Sequence, residues 1–205
     1  MTTRIYILLL VIVIIILCCY FRWKTLCSQS YWVDKNKTLH SNLLVLLDDT
    51  FDRLTSIGIN PLVIGGSHLG AYRNSNLIPW DDDIDIAIYH KEGEHQQVID
   101  KIKQMYLHDN VKYVNDIFFG LKIHDNITKC FIDIFLITDT SDGLIHYTDK
   151  RSREWSWKNA WLKRNEVHNP STCVIGDYTY PCPSNSRDVL KRWYGDTFET
   201  PKITH

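Results

Sequence analysis

Hydrophobic and polar positions divide the chain into segments with different periods. Residues 5–21 are an unbroken apolar run, with Arg4 before it and Arg22 and Lys24 after it. As a helix this run spans roughly 25 Å, the short end of a membrane crossing. Cys18, Cys19, Tyr20 and Phe21 close it, not the small residues of a signal-peptide cleavage site, so it reads as an uncleaved anchor over residues 1–23. Residues 24–37 are polar and mixed, a short stem. From Thr38, apolar residues recur at Leu39, Leu43, Leu46, Leu47, Phe51 and Leu54, one face of a helix that Gly58 ends. Asp48, Asp49 and Asp52 fall on its solvated side. Residues 61–64 read as a buried strand, 69–73 as a helical turn and 94–106 as a helix. Residues 111–114 and 117–124 read as a hairpin, and 130–137 as a nearly continuous apolar strand. Strands and helices intermix without strict alternation, which predicts an α+β domain over residues 38–205, a mixed sheet with helical cover.

Asp81-Asp82-Asp83-Ile84-Asp85-Ile86-Ala87-Ile88 sets four carboxylates in five positions ahead of an apolar strand. Alternation along a strand would place Asp81, Asp83 and Asp85 on one face, and Asp82 with Ile84, Ile86 and Ile88 on the other. Carboxylates this close repel unless a cation neutralises them, and hard oxygen ligands suit Mg²⁺ or Mn²⁺. A calcium loop would match Asp81, Asp83, Asp85 and Glu92, but Ile86 stands where its sharp turn needs glycine. Asp133 is the one charge inside the 130–137 strand. A carboxylate there is costly unless paired or metal-bound. If that strand lies beside the acidic one, Asp133 completes a cluster with Asp83 and Asp85. Gly65-Gly66-Ser67 follows a strand, where glycine lets backbone N–H groups approach an anion closely, and Arg73 is a candidate phosphate contact.

Composition narrows the reading little further. The formal net charge is -1 and the pI near 6.7, so no global basic field points to nucleic acid. Cys173 and Cys182 flank a Tyr-rich segment and are placed to pair across a hairpin in an oxidising compartment. Asn36-Lys37-Thr38 and Asn126-Ile127-Thr128 are glycosylation sequons. Together with the apolar run, these features predict a single-pass, type II protein of the endoplasmic reticulum or Golgi with a lumenal domain.

Gly65-Gly66-Ser67-x-Leu69-Gly70-Ala71-x-Arg73, then Ile78-Pro79-Trp80-Asp81-Asp82-Asp83-Ile84-Asp85-Ile86, then Ile132-Asp133-Ile134-Phe135, resembles the LicD family, which includes bacterial choline-phosphate transferases and the fukutin and fukutin-related proteins. Tyr180-Pro181-Cys182-Pro183 and Leu190-x-x-Trp193-Tyr194-Gly195-Asp196 are similar to its carboxy-terminal motif. The resemblance implies a nucleotidyltransferase (polymerase β-like) fold. It also implies transfer of a phospho-alcohol, of the phosphocholine or ribitol phosphate type, from a CDP-activated donor to a glycan. By the same resemblance Asp83, Asp85 and Asp133 are catalytic and hold Mg²⁺ or Mn²⁺ with Asp81, while Gly65, Gly66, Ser67, Arg73 and Trp80 bind substrate. His68 departs from the aliphatic residue usual at its position. The rival readings are a nucleotidyltransferase that makes an activated intermediate, and a non-catalytic, glycan- or enzyme-binding protein that keeps the fold.

Overall fold

The computed structural model describes residues 2–201, without the side chains of residues 2–9 and 25–30. The first part of the expected anchor (residues 5–9), Cys27 and the end of the expected domain (residues 202–205) therefore lie outside the described residues or side chains. One helix, α1 (Thr2–Ser56), runs unbroken through both the apolar run and the stretch read as a stem. No Gly or Pro interrupts residues 2–56, so nothing in the backbone chemistry stops it earlier. It ends where Gly58 takes a left-handed conformation (φ +78°) and the Ile59 N–H returns to the Leu54 carbonyl.

Among the described residues no helix is long and apolar enough to cross a membrane. This finding corrects the expected transmembrane helix, and with it the single-pass placement in the endoplasmic reticulum or Golgi. Asn36 is buried and its amide donates to the Pro79 carbonyl (2.9 Å), so that sequon holds the fold together instead of facing solvent.

The second half of α1 is the floor of the domain. Leu43, Leu46, Leu47, Phe51 and Leu54 are buried against one face of a six-stranded mixed sheet. Its strands are β1 (Pro61–Val63), β2 (Ile84–Tyr89), β3 (Lys112–Ile117), β4 (Gly120–Asp125), β5 (Phe131–Asp139) and β6 (Ile145–Tyr147). The order is β1-β2-β5-β4-β3, with β6 pairing the far end of β5. Among the described residues only β2 and β5 pair in parallel; β1–β2, β3–β4, β4–β5 and β5–β6 are antiparallel. Ile84, Ile86 and Ile88 of β2 and Ile132, Ile134 and Leu136 of β5 fill the core shared with α1. The opposite face of these strands carries Ala87, Phe135 and Ile137, which pack with Leu62, Ile64, Tyr147, Leu162 and Val189. The period of two therefore sorts each strand into two different interiors, and the site opens on the second.

Helices α2 (Gly65–Asn74) and α3 (His95–Tyr106) connect the early strands. A π-helical turn (Ser152–Ser156), α4 (Arg164–His168), the hairpin β7 (Ser171–Ile175)–β8 (Tyr178–Cys182) and α5 (Ser186–Tyr194) complete the chain. Cys173 and Cys182 do flank the hairpin, but both are free thiols, so the expected pairing is not formed. In the register Cys173 opposes Tyr180 and Cys182 opposes Ser171. His68, fully buried on α2, places its Nε2 2.9 Å from the Ser186 Oγ and ties α2 to α5.

Candidate active site

The parallel pairing of β2 and β5 is what assembles the acidic cluster. Its register sets Asp85 beside Asp133, and both side chains leave the sheet on the face away from α1. Asp83, just before β2, joins them: one carboxylate oxygen each from Asp83, Asp85 and Asp133 lies within 4.8 Å of the others. On the far side of β5, the β4 register places Lys122 beside Asp133, with its Nζ 2.9 Å from Oδ1. The same ammonium lies over the Phe131 ring, 3.7 Å from its centroid.

The Gly65-Gly66-Ser67 turn holds this cluster from the other side. The Gly66 N–H donates to Asp85 Oδ2 (2.9 Å), and the Asp85 N–H donates to Ser67 Oγ (3.0 Å). Gly65 is left-handed (φ +58°), and a Cβ there would run into the Asp85 carboxylate; one on Gly66 would come 2.8 Å from Asp81 Oδ2. Glycine is thus needed at both positions to let two carboxylates close on the backbone. Ser67, buried, serves Asp85 and not a substrate directly. The alternation expected along residues 81–88 holds only from Ile84, where β2 begins. Before it the chain turns, with the Asp81 N–H donating to the Ile78 carbonyl (2.9 Å). Asp82 consequently does not face away. It is exposed, yet its carboxylate groups with those of Asp81 and Asp83 within 4.8 Å. His40 of α1 braces this turn, its Nε2 2.9 Å from the Asp81 carbonyl oxygen.

Burial and mutual repulsion raise all four inward carboxyls. Asp81 is pushed up to about 7 by burial, with Asp83 and Asp82 adding to it. Asp83 is pushed up to about 6 by burial and by Asp133 and Asp82, against a smaller lowering from Lys122. Asp85 is raised well above the ordinary carboxylate range by burial and Asp83, and the Gly66 N–H only partly offsets this. Asp133 is raised by burial, which Lys122 counters. A positive charge beside these carboxyls would offset this electrostatic penalty.

The residues fit a divalent ion. Asp133 is 8% exposed, and its Oδ1 is paired with the Lys122 ammonium at 2.9 Å. Three carboxylates that each bring one oxygen within 4.8 Å of the others are an oxygen donor set of the kind Mg²⁺ or Mn²⁺ takes. Asp83, Asp85 and Asp133 would hold such an ion.

Residues 58–185 match the family model described as LicD/FKTN/FKRP, nucleotidyltransferase domain. This chain belongs to the LicD/FKTN/FKRP family. Two uncharacterised proteins of Rickettsia are also similar to it. That of Rickettsia typhi is 29% identical over 171 residues (80% of this chain, 48% of its own length). That of Rickettsia prowazekii is 31% identical over 167 residues (81% and 58%). The chain thus spans about half the length of the curated relatives it matches. Among solved structures, a crystal structure of ANT(2'')-Ia in complex with adenylyl-2''-tobramycin is 13% identical, with a TM-score of 0.45 and coverage of 68% of each chain. A solution structure of the antibiotic-resistance factor ANT(2'')-Ia is 14% identical, with a TM-score of 0.47 and coverage of 81% and 77%.

Two hollows flank the Gly65–Gly66 backbone in the LicD-family domain. The first, of about 460 Å³, has Asp83, Asp85 and Asp133 on its floor and Phe119, Phe135, Tyr147, Trp157, Trp193 and Tyr194 among its walls. Trp155 stands at its rim, 81% exposed. The second, of about 390 Å³, holds Asp81, Trp80, Gly66 and Arg73, and shares Tyr194 with the first. Trp80 and Arg73 therefore sit apart from the three converging carboxylates. The Arg73 guanidinium donates to the carbonyls of Phe198 and Thr200, and so holds the carboxy-terminal segment. A free bidentate fork for phosphate is not what Arg73 presents here, because those carbonyls occupy it.

Sequence reasoning did not find Lys122 or the aromatic walls. Lys122 alternates with the buried Leu121 and Ile123 on a hairpin strand, the ordinary pattern of an outward-facing lysine, and so carries no local signal. Trp157 and Tyr147 come from a loop and a three-residue strand whose placement depends on β5. The motif around Trp193 and Tyr194 was visible, but its role as wall was not.

Proposed function

We propose that this LicD-family domain transfers a phospho-alcohol, of the phosphocholine or ribitol phosphate type, from a CDP-activated donor to a hydroxyl group of a glycan. The observation that carries the reading is the convergence of Asp83, Asp85 and Asp133 beneath a cavity that borders the amino-terminal end of α2. The first N–H groups of a helix have no acceptor within the helix, and its dipole favours an anion. Gly66 spends its N–H on Asp85, which leaves that of Gly65, on the cavity wall, as the contribution of this turn to donor phosphate oxygens. A divalent ion bound by the three carboxylates supplies charge neutralisation for the diphosphate. The aromatic walls suit a stacked base or a cationic alcohol headgroup. Trp155, exposed at the rim, suits an acceptor that extends into solvent.

In the reaction the acceptor oxygen forms a bond to the β-phosphorus, and the bond from that phosphorus to the bridging oxygen breaks. CMP leaves with the bridging oxygen. Asp133, on the floor of the cavity, accepts the proton of the attacking hydroxyl. The products separate this reading from synthesis of an activated intermediate. Incubation of the full chain and Mn²⁺ with CDP-choline, CDP-ribitol or CDP-glycerol and a glycan mixture should release CMP. Release of pyrophosphate from CTP and a phospho-alcohol, without CMP from any CDP donor, would show the nucleotidyltransferase reaction instead. Binding of glycan without either product would show a non-catalytic protein.

A further inference from the structure

Lys122 is the one cation that the fold builds directly against the acidic cluster among the described residues. Its position is fixed three times over. The antiparallel β4–β5 register makes it the direct neighbour of Asp133. The Phe131 ring lies beneath its ammonium at 3.7 Å. Its side chain is only 22% exposed, which confines the amine to the edge of the site. Against this single ammonium stand Asp81, Asp83, Asp85 and Asp133. The charge of Lys122 is felt beyond its own partner, since it also lowers the proton affinity of Asp83.

Phosphoryl-transfer centres with two divalent ions need carboxylate oxygens on both sides of the reacting group, with the ions about 3.5–4 Å apart. Here one side is taken. Nζ stands 2.9 Å from Asp133 Oδ1, so an ion bound at that oxygen would be pressed against an ammonium with no water between them. Like charges at that separation repel strongly in a half-buried site. We propose that Lys122 acts as the built-in second cation of this centre, so that the domain takes one divalent ion where its four carboxylates would otherwise admit two. Lys122 is then a positioning residue: it fixes Asp133 and presents a constant positive charge beside the donor phosphates. Unlike a second metal ion, this charge does not depend on the free metal concentration. The inference rests on the reading of the carboxylates as a divalent-ion site.

The test is Mn²⁺ stoichiometry by calorimetry and by electron paramagnetic resonance on the full chain, without substrate. The wild type should bind one Mn²⁺. Lys122→Met, which keeps the length of the stem and removes the charge, should bind two, or bind the first at least tenfold more tightly. Lys122→Arg should return to one. Two Mn²⁺ in the wild type would overturn the proposal, and that result stands whether or not any variant folds. One Mn²⁺ in both the wild type and a folded Lys122→Met, with affinities within twofold, would also overturn it while leaving the metal-site reading intact. No Mn²⁺ in the wild type would refute the metal-site reading, and this proposal with it.

Discussion

Asp85 and Asp133 are direct neighbours across the parallel pairing of β2 and β5, and the Gly66 N–H caps the Asp85 carboxylate at 2.9 Å. Two strands that contribute one acid each, and a glycine turn that closes on one of them, make the centre a product of topology. A one-residue slip in that register would send Asp133 into the α1 core and Ile132 or Ile134 into the site.

Gly65 and Gly58 provide a matched pair of substitutions. Both are left-handed, but a Cβ at Gly58 meets nothing within 4 Å, whereas one at Gly65 meets the Asp85 carboxylate. Gly58→Ala should cost about 1–2 kcal/mol of stability, the backbone strain alone, and leave turnover near the wild-type value. Gly65→Ala should carry the same strain and also displace Asp85, with loss of activity by tenfold or more. Denaturant unfolding and a CMP-release assay on the same samples would check both.

Without metal, stability should fall as pH rises from about 4 to about 7. The folded pKa values of Asp81 and Asp83, about 7 and about 6, lie above the unfolded carboxylate value. The folded state therefore binds more protons than the unfolded state in that window, and its advantage is lost as the pH passes the folded values. Thermal unfolding in EDTA at constant ionic strength should show this slope, and it should flatten in Asp81→Asn/Asp83→Asn. Added Mn²⁺ should raise the Tm more at pH 7.5 than at pH 5, because the ion needs ionised carboxylates.

Glu166 is fully buried, accepts from the Lys163 N–H (2.7 Å) and from Arg192 Nη2 (2.7 Å), and so ties α4 to α5, which carries the Trp193 and Tyr194 walls. Arg192→Leu would strand that carboxylate. A loss of about 3 kcal/mol or more is expected, as for other broken buried pairs. Glu166→Gln/Arg192→Leu should recover part of it, and chemical denaturation of the single and double variants would measure how much.

Asp133 stood out in the sequence because a single charge in an apolar strand has few explanations, Asp85 because alternation along β2 turns it away from the core, and Asp83 because of the density of carboxylates around it. The core of β2, β5 and the second half of α1 followed from periods of 2 and 3.6. What was illegible depends on distance along the chain. Asn36 and His40 reach the Pro79 and Asp81 carbonyls across more than forty residues, and Lys122 meets Asp133 only through the β4–β5 pairing. Local rules also failed where the backbone leaves its regular form: Asp82 joins its neighbours because the chain turns before β2. The apolar start of α1 suggested a membrane span, yet no helix among the described residues is long and apolar enough to cross a membrane.

The most direct measurement is Mn²⁺-dependent CMP release from CDP-choline, CDP-ribitol and CDP-glycerol by the wild type and by Asp83→Asn, Asp85→Asn and Asp133→Asn. The account predicts turnover with at least one donor, its abolition by EDTA, and a loss of a hundredfold or more in each variant with the fold retained by circular dichroism. Turnover that survives all three substitutions would contradict it, as would the absence of turnover from the wild type with every donor in the presence of glycan acceptors.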